Sequence, residues 1–178
     1  AFSMVAHLIN TFLLVGAITL TAWWASGGRG LLLRDRGPLL PLIAGGLGAL
    51  LLTGGSGAIA ALGDTLFPST TLAEGFVADL STASHILLRL RVLHPLFAIL
   101  TGGYLLMMAR VLVRQRNSSI IAYNAVTILV IVQLAAGAFN IFLLAPVWLQ
   151  LVHLLLADLL WIATVVLGAS VLQRPASR

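Results

Sequence analysis

The sequence predicts an all-α integral membrane protein with five spans, and three observations carry that prediction. Of its 178 residues, 60% are hydrophobic and only 8% are charged, with a mean hydropathy of +1.09. A soluble domain of this size carries roughly 25% charged residues. Five apolar stretches each reach the length of about 20 helical residues that a hydrocarbon core of about 30 Å requires. The charged side chains gather between those stretches, and no segment between them has room for a soluble domain.

The first span covers residues 1–25. It has no basic leader and is too long for the apolar region of a signal peptide. It also opens without Met or an aqueous flank, so it reads as the continuation of a longer chain. Gly27, Gly28, Gly30, Gly37 and Pro38 break the helix after it. The second span, 39–62, is rich in small residues: Ala44, Gly45, Gly46, Gly48, Ala49, Gly54, Gly55 and Gly57. In lipid such residues let helix backbones, or a flat ring, approach closely. Residues 63–85 form the one long loop, of a length often found in functional lids. The third span, 86–113, contains Pro95, which removes a hydrogen bond to the Arg91 carbonyl and is expected to kink the helix there. Residues 117–119 turn into the fourth span, 120–144, and a tight turn at Pro146 leads to the fifth, 147–172. Residues 38–173 are thus expected to form an antiparallel four-helix bundle, with residues 1–25 as a separate helix on its edge.

The net charge of +5 does not indicate nucleic acid, because the basic residues are placed by topology. Arg29, Arg34 and Arg36 follow the first span, Arg110, Arg114 and Arg116 close the third, and Arg174 and Arg178 follow the fifth. By the positive-inside rule that face is cytoplasmic. The N-terminus is then outside and the C-terminus inside a bacterial-type plasma membrane, with Asp64, Glu74 and Asp79 on the outer face. Trp23, Trp24, Trp148 and Trp161 read as interface-belt residues. The absence of cysteine excludes disulfides, thiolate-bound metals and iron–sulfur clusters.

Against this background, His7, His94 and His153 stand six to nine residues inside apolar runs, all in the outer half of the bilayer. An ionisable or metal-ligating side chain in hydrocarbon marks a functional site by default. At 1.5 Å rise per residue, His94 and His153 lie at about 9–12 Å depth. Two imidazoles facing each other at one level in a bundle suit bis-histidine ligation of a haem, with neutral imidazole the required form. The plain alternative is that each histidine bonds a carbonyl or a hydroxyl. Arg89 and Arg91 break the charge rule and sit toward the aqueous boundary from His94. They read as clamps for haem propionates, since guanidinium pairs with carboxylates in two-pronged fashion. Pairing of the same arginines with Asp79, Glu74 or lipid phosphate is the alternative. His85, at the loop edge, reads as solvated. Asp158, the one carboxylate deep in a span, is expected to accept a hydrogen bond from Thr53, Asn124, Gln133 or Asn140. No residue is read as certainly catalytic.

Residues 57–68 (GAIAALGDTLFP) and 88–95 (LRLRVLHP), with 140–153 (NIFLLAPVWLQLVH) and 157–161 (ADLLW), form a set that resembles the C-terminal half of the haem A synthase family. The resemblance implies an eight-span protein of two pseudo-symmetric four-helix halves. Its C-terminal half holds a haem b cofactor between histidines that match His94 and His153. Its N-terminal half oxidises a ring methyl of haem o to the formyl of haem a. The first span matches the last helix of that catalytic half, and His7 one axial ligand of the substrate haem. The family's catalytic glutamate, the second substrate-haem histidine and the loop cysteine pair have no counterpart in this sequence. The resemblance therefore implies haem b as cofactor, haem o as substrate, and an upstream half as partner. A non-catalytic haem-binding or structural subunit of a larger membrane electron-transfer complex is the alternative, and a homo-oligomer is compatible with either.

Overall fold

The computed structural model describes residues 1–34, 36–81, 83, 85–115 and 118–174. Arg116, Asn117 and Arg178, assigned above to loops and span ends, lie outside the described residues. Seven helices follow one another: α1 (Phe2–Ala25), α2 (Leu39–Leu66), α3 (Leu72–Leu80), α4 (Ile86–Arg91), α5 (Leu93–Leu112), α6 (Ile120–Phe142) and α7 (Val147–Leu172). Five of the described segments are long and apolar enough to cross a membrane, with α4 and α5 together forming one of them. The chain is an integral membrane protein.

Helix α2 packs on α5, α5 on α6, α6 on α7 and α7 on α2, which closes a four-helix bundle. Helix α1 lies on its edge against α2 and α7, as the sequence predicts. Glycines on α2 set the spacing. A Cβ at Gly54 would stand 2.6 Å from Phe12 Cε2, and one at Gly46 2.7 Å from Met108 Sδ. Side chains at either site would push α1 or α5 away. Hydrogen bonds add interhelical ties where no water competes: Tyr104 Oη donates to the Leu42 carbonyl (2.9 Å), and the hydroxyls of Thr53 and Thr101 are paired (2.8 Å).

The fully buried side chains are concentrated in one half of the bundle, although Leu87, Leu88 and Leu149 are buried at the other end. Leu105, Met108 and Leu112 of α5, Val126 and Val130 of α6 and Leu167 of α7 are fully buried. All lie toward the end that carries Arg29, Arg34, Arg36, Arg110 and Arg114. In α7, burial is nearly continuous from Leu160 to Leu172, whereas Leu151, Val152, Leu154, Leu155 and Leu159 are exposed. The α1–α2 loop completes the arginine end. Leu32 N–H donates to the Leu172 carbonyl, and Arg36 Nη2 donates to the carbonyls of Leu172 (3.3 Å) and Gln173 (2.7 Å). A cation on the last carbonyls of α7 offsets the negative end of that helix.

Boundaries differ from expectation in four places. Helix α2 runs on to Leu66, and its added turn packs on α4, where a Cβ at Gly63 would stand 3.5 Å from the Leu87 carbonyl oxygen. The long loop contains helix α3. The third span is split at Val92, where the Arg91 carbonyl loses the N–H that Pro95 lacks. The fourth span ends at Phe142 because Leu144 (φ 58°) and Ala145 (φ 52°) are left-handed. That tight turn is closed by Ala145 N–H on the Asn140 carbonyl (2.7 Å) and by Gln150 Nε2 on the Ala145 carbonyl (2.6 Å).

Candidate functional site

Helices α1, α5 and α7 all begin at the end opposite the arginines, which brings His7, His94 and His153 to that end. The structure brings only two of them together. His94 of α5 and His153 of α7 face each other with ring centroids 6.3 Å apart and ring planes at 87°. Both are half-buried, in the loosely packed half of the bundle. His7 is exposed on the outward face of α1, with Asn10 one turn on.

Each imidazole is held from a neighbouring helix. Ser56 Oγ of α2 stands 3.1 Å from His94 Nδ1, and the same hydroxyl donates to the Thr53 carbonyl at 2.7 Å. Gln133 Nε2 of α6 donates to the His153 carbonyl at 3.1 Å and stands 3.3 Å from His153 Nε2. A glycine lies beside each ring. A Cβ at Gly57 would come within 3.0 Å of His94 Cε1, and one at Gly137 within 3.3 Å of His153 Cε1. His153 Nδ1 and Gln133 Oε1 are buried without a partner among the described residues.

This donor set fits an axially ligated haem. Two metal–nitrogen bonds of about 2 Å each plus the radii of two imidazole rings come to roughly 6–6.5 Å, and the centroid separation falls in that range. The glycine beside each ring and the orphaned Nδ1 also suit a site built to hold something more than two side chains. A bundle core with histidines on facing helices is where such cofactors are commonly housed.

Arg91 does not stand free beside this pair. Its Nε and Nη2 donate to Asp79 Oδ1 (2.9 and 2.6 Å), and its Nη1 donates to Asp64 Oδ1 (2.6 Å). Asp79 is among the alternative partners foreseen from sequence; Asp64 is not. The triad ties α4 to the ends of α2 and α3, and Gly75 of α3 is buried over the Arg91 guanidinium. Arg89 is exposed and has no ion pair among the described residues. His85 caps α4, accepting from Leu87 N–H at Nδ1 (3.2 Å), with its ring against Phe67.

Two readings of the α7 side chains are corrected. Asp158 finds none of its expected partners: Thr53 is bonded to Thr101, Gln133 serves His153, and Asp158 Oδ1 is buried without a partner among the described residues. Trp161 is no belt residue, being 4% exposed and packed on Phe12 with centroids 5.4 Å apart, under Gly16 of α1. Its place in mid-helix, on the face turned to α1, explains this. Trp24 and Trp148 are exposed.

Sequence reasoning missed Ser56, Gln133 and Gly137 as neighbours of the histidines, because each lies on another helix whose rotation no single-helix pattern reveals. Helix α3 did have a signal. Thr71-Leu-Ala-Glu74 has capping-box spacing, and Thr71 Oγ1 accepts from Glu74 N–H while Glu74 Oε2 accepts from Thr70 N–H and Oγ1.

A family model described as cytochrome oxidase assembly protein matches residues 1–165. Two curated relatives are the protoheme IX farnesyltransferases of two strains of Thermus thermophilus. Each is 44% identical over 180 residues, a match covering 100% of this chain and 30% of the relative. The chain thus spans less than a third of the length of those relatives. No solved structure matches it. With residues 1–165 matched and the paired imidazoles on α5 and α7, the chain belongs to the cytochrome oxidase assembly protein family, the haem A synthase family of the sequence pattern.

Proposed function

We propose that this chain is the cofactor-holding part of a haem A synthase, a membrane oxidoreductase that takes a ring methyl of haem o to the formyl of haem a. The observation that carries the reading is the facing pair His94 and His153, whose 6.3 Å centroid separation suits an iron porphyrin held between them. Haem b, when bound there, supplies a one-electron relay for electrons leaving the substrate. The chain's own residues do the rest. Ser56 orients the His94 imidazole, Gln133 ties α6 to the His153 carbonyl, Gly57 and Gly137 leave room for the two imidazole rings, and the Asp64–Arg91–Asp79 triad fastens α3 and α4 at the rim. Arg89 is the propionate clamp, since Arg91 already holds two carboxylates. His7, facing away from the bundle, is an axial ligand of the substrate haem together with a histidine on a helix outside it. Arginines on the opposite end orient the chain with its N-terminus outside and these sites in the outer half of the bilayer.

The name of the Thermus relatives denotes farnesyl transfer, an adjacent step of haem A biosynthesis. Transfer from a diphosphate calls for carboxylates that hold Mg²⁺ against the leaving group. Among the described residues no group of three or more His, Asp or Glu side chains is gathered for a metal, and Asp64 and Asp79 are bound to Arg91. The second reading, a haem-binding electron-transfer or structural subunit, draws support from the partners of the two imidazoles among the described residues, which are a serine and a glutamine and no carboxylate.

The deciding experiment is the absorption spectrum of the purified chain, followed by pigment analysis after expression with a source of haem o. The expected result is a Soret band with sharp α and β bands on reduction, lost in His94→Ala and in His153→Ala. Formation of haem a in the presence of the upstream half distinguishes the oxidoreductase from the electron-transfer subunit. A colourless protein leaves only the structural subunit.

A further inference from the structure

The two imidazoles are not held alike. A hydroxyl has one proton, and Ser56 gives its proton to the Thr53 carbonyl at 2.7 Å. With the proton assigned to that shorter bond, the serine oxygen accepts at the 3.1 Å contact with His94 Nδ1. That fixes Nδ1–H on His94 and leaves the Nε2 lone pair free for a metal. A second ring nitrogen oriented by an outer hydrogen bond is the usual arrangement behind a metal-ligating histidine.

His153 presents the opposite case. The Gln133 amide has two N–H groups. One goes to the His153 carbonyl at 3.1 Å, which fixes the amide nitrogen on that side. The other faces His153 Nε2 at 3.3 Å, so it donates into that lone pair. His153 is then also the Nδ1–H tautomer, with Nδ1 buried and without an acceptor among the described residues, while Gln133 Oε1 is orphaned as well. A native site seldom leaves two atoms of one contact unsatisfied without a use for them.

We infer that Gln133 is a place-holder on His153: it occupies the Nε2 lone pair until a metal takes it, so His94 is a preset ligand and His153 a withheld one. This rests on the proposed haem between the two histidines. The Gln133–His153 contact must open before His153 can ligate, and the lost hydrogen bond opposes cofactor binding.

The test is a titration of the full chain, produced without haem, with haemin as the probe. Gln133→Met keeps the length and volume of the side chain and removes the donor. The variant is expected to bind haemin about three- to tenfold more tightly, the equivalent of one neutral hydrogen bond. The same substitution in a His153→Ala background should give no gain. A purely structural glutamine would give the opposite sign, because losing its bond to the His153 carbonyl would loosen α6 on α7. Equal or weaker binding by the variant overturns the place-holder while leaving the haem reading intact. Wild-type chain that develops no low-spin haem spectrum overturns both. Nitrogen-15 NMR of the haem-free wild type gives a check that needs no variant. Both imidazoles should be protonated at Nδ1, and a His153 protonated at Nε2 refutes the inference.

Discussion

At the scale of single residues, the site is sensitive to atoms that the sequence gives no reason to watch. A methyl group at Gly57 would press on His94 Cε1 at 3.0 Å, and one at Gly137 on His153 Cε1 at 3.3 Å. Overpacking of this kind costs about 1–3 kcal/mol. Gly57→Ala is therefore expected to weaken haemin binding by about tenfold or more, and Gly137→Ala by less, as read from the Soret titration. Arg91 is the second sensitive point. Its guanidinium is 14% exposed and neutralises Asp64 and Asp79 together. Arg91→Leu leaves two carboxylates side by side with no cation, a loss of about 2–4 kcal/mol for a partly buried network. Chemical unfolding in detergent should show that loss, and adding Asp64→Asn with Asp79→Asn should recover most of it. The histidine pair itself was legible in the sequence, because depth along two parallel spans is arithmetic. Ser56, Gln133 and the second carboxylate on Arg91 were not, because they depend on how far each helix is rotated about its own axis.

Helices and turns show where local chemistry was readable and where it was overridden. Helix α1 ends in a motif its sequence announces: Gly27 has φ 89°, its N–H reaches the Trp24 carbonyl, and Gly28 N–H reaches that of Trp23. The α6–α7 turn is the reverse case, since Leu144 and Ala145 take left-handed φ without being glycine. Left-handed backbone costs about 1–2 kcal/mol, of which about 0.4–1 is returned as unfolded-chain entropy when glycine is introduced. Ala145→Gly should thus stabilise the protein by about 0.5–1 kcal/mol in equilibrium unfolding. Length and apolar character alone fixed the last two spans: the fifth coincides with α7, while the apolar end of the fourth ran past the true helix end at Phe142. Helix α3 adds a pH dependence. Hydrogen bonds to the Glu74 carboxylate from the Thr70 hydroxyl and N–H, with a lesser one from the Thr71 backbone, hold that carboxyl below its ordinary value of 4.5. A group with a depressed folded pKa stabilises α3 fully above its unfolded pKa and loses that stabilisation as pH falls through the folded one. Limited proteolysis within residues 63–85 should therefore speed up as the pH drops below about 4.5. Glu74→Gln, which keeps the capping bonds without the charge, should remove that dependence.

At the scale of the whole molecule, the bundle divides its labour along its axis. The arginine end is closely packed and tied to the α7 carbonyls through Arg36, while the histidine end is open enough for the two imidazoles to be partly exposed. Apolar length, small residues on α2 and charge placement made this architecture readable, because in lipid those features leave few other ways to satisfy the backbone. The division into a packed and an open half was not readable, since both halves of each span are predominantly apolar and hydropathy does not distinguish lipid from protein neighbours. The division makes the orientation of the chain a functional matter. If the arginine end is cytoplasmic, the histidine end and helix α3 meet the outer face, where the exposed Phe76, Val77 and Leu80 of α3 can rest on the membrane boundary. The chain has no cysteine, so an introduced one is a unique label. Ala73→Cys on α3 should react with a membrane-impermeant maleimide in intact cells, and Ser26→Cys in the α1–α2 loop only after permeabilisation. The opposite labelling pattern would place the histidine end toward the cytoplasm. The proposed haem sites would then be reached from the inner leaflet, and Arg36, which donates to the carbonyls of Leu172 and Gln173, would act as a cap on α7 with no part in setting topology.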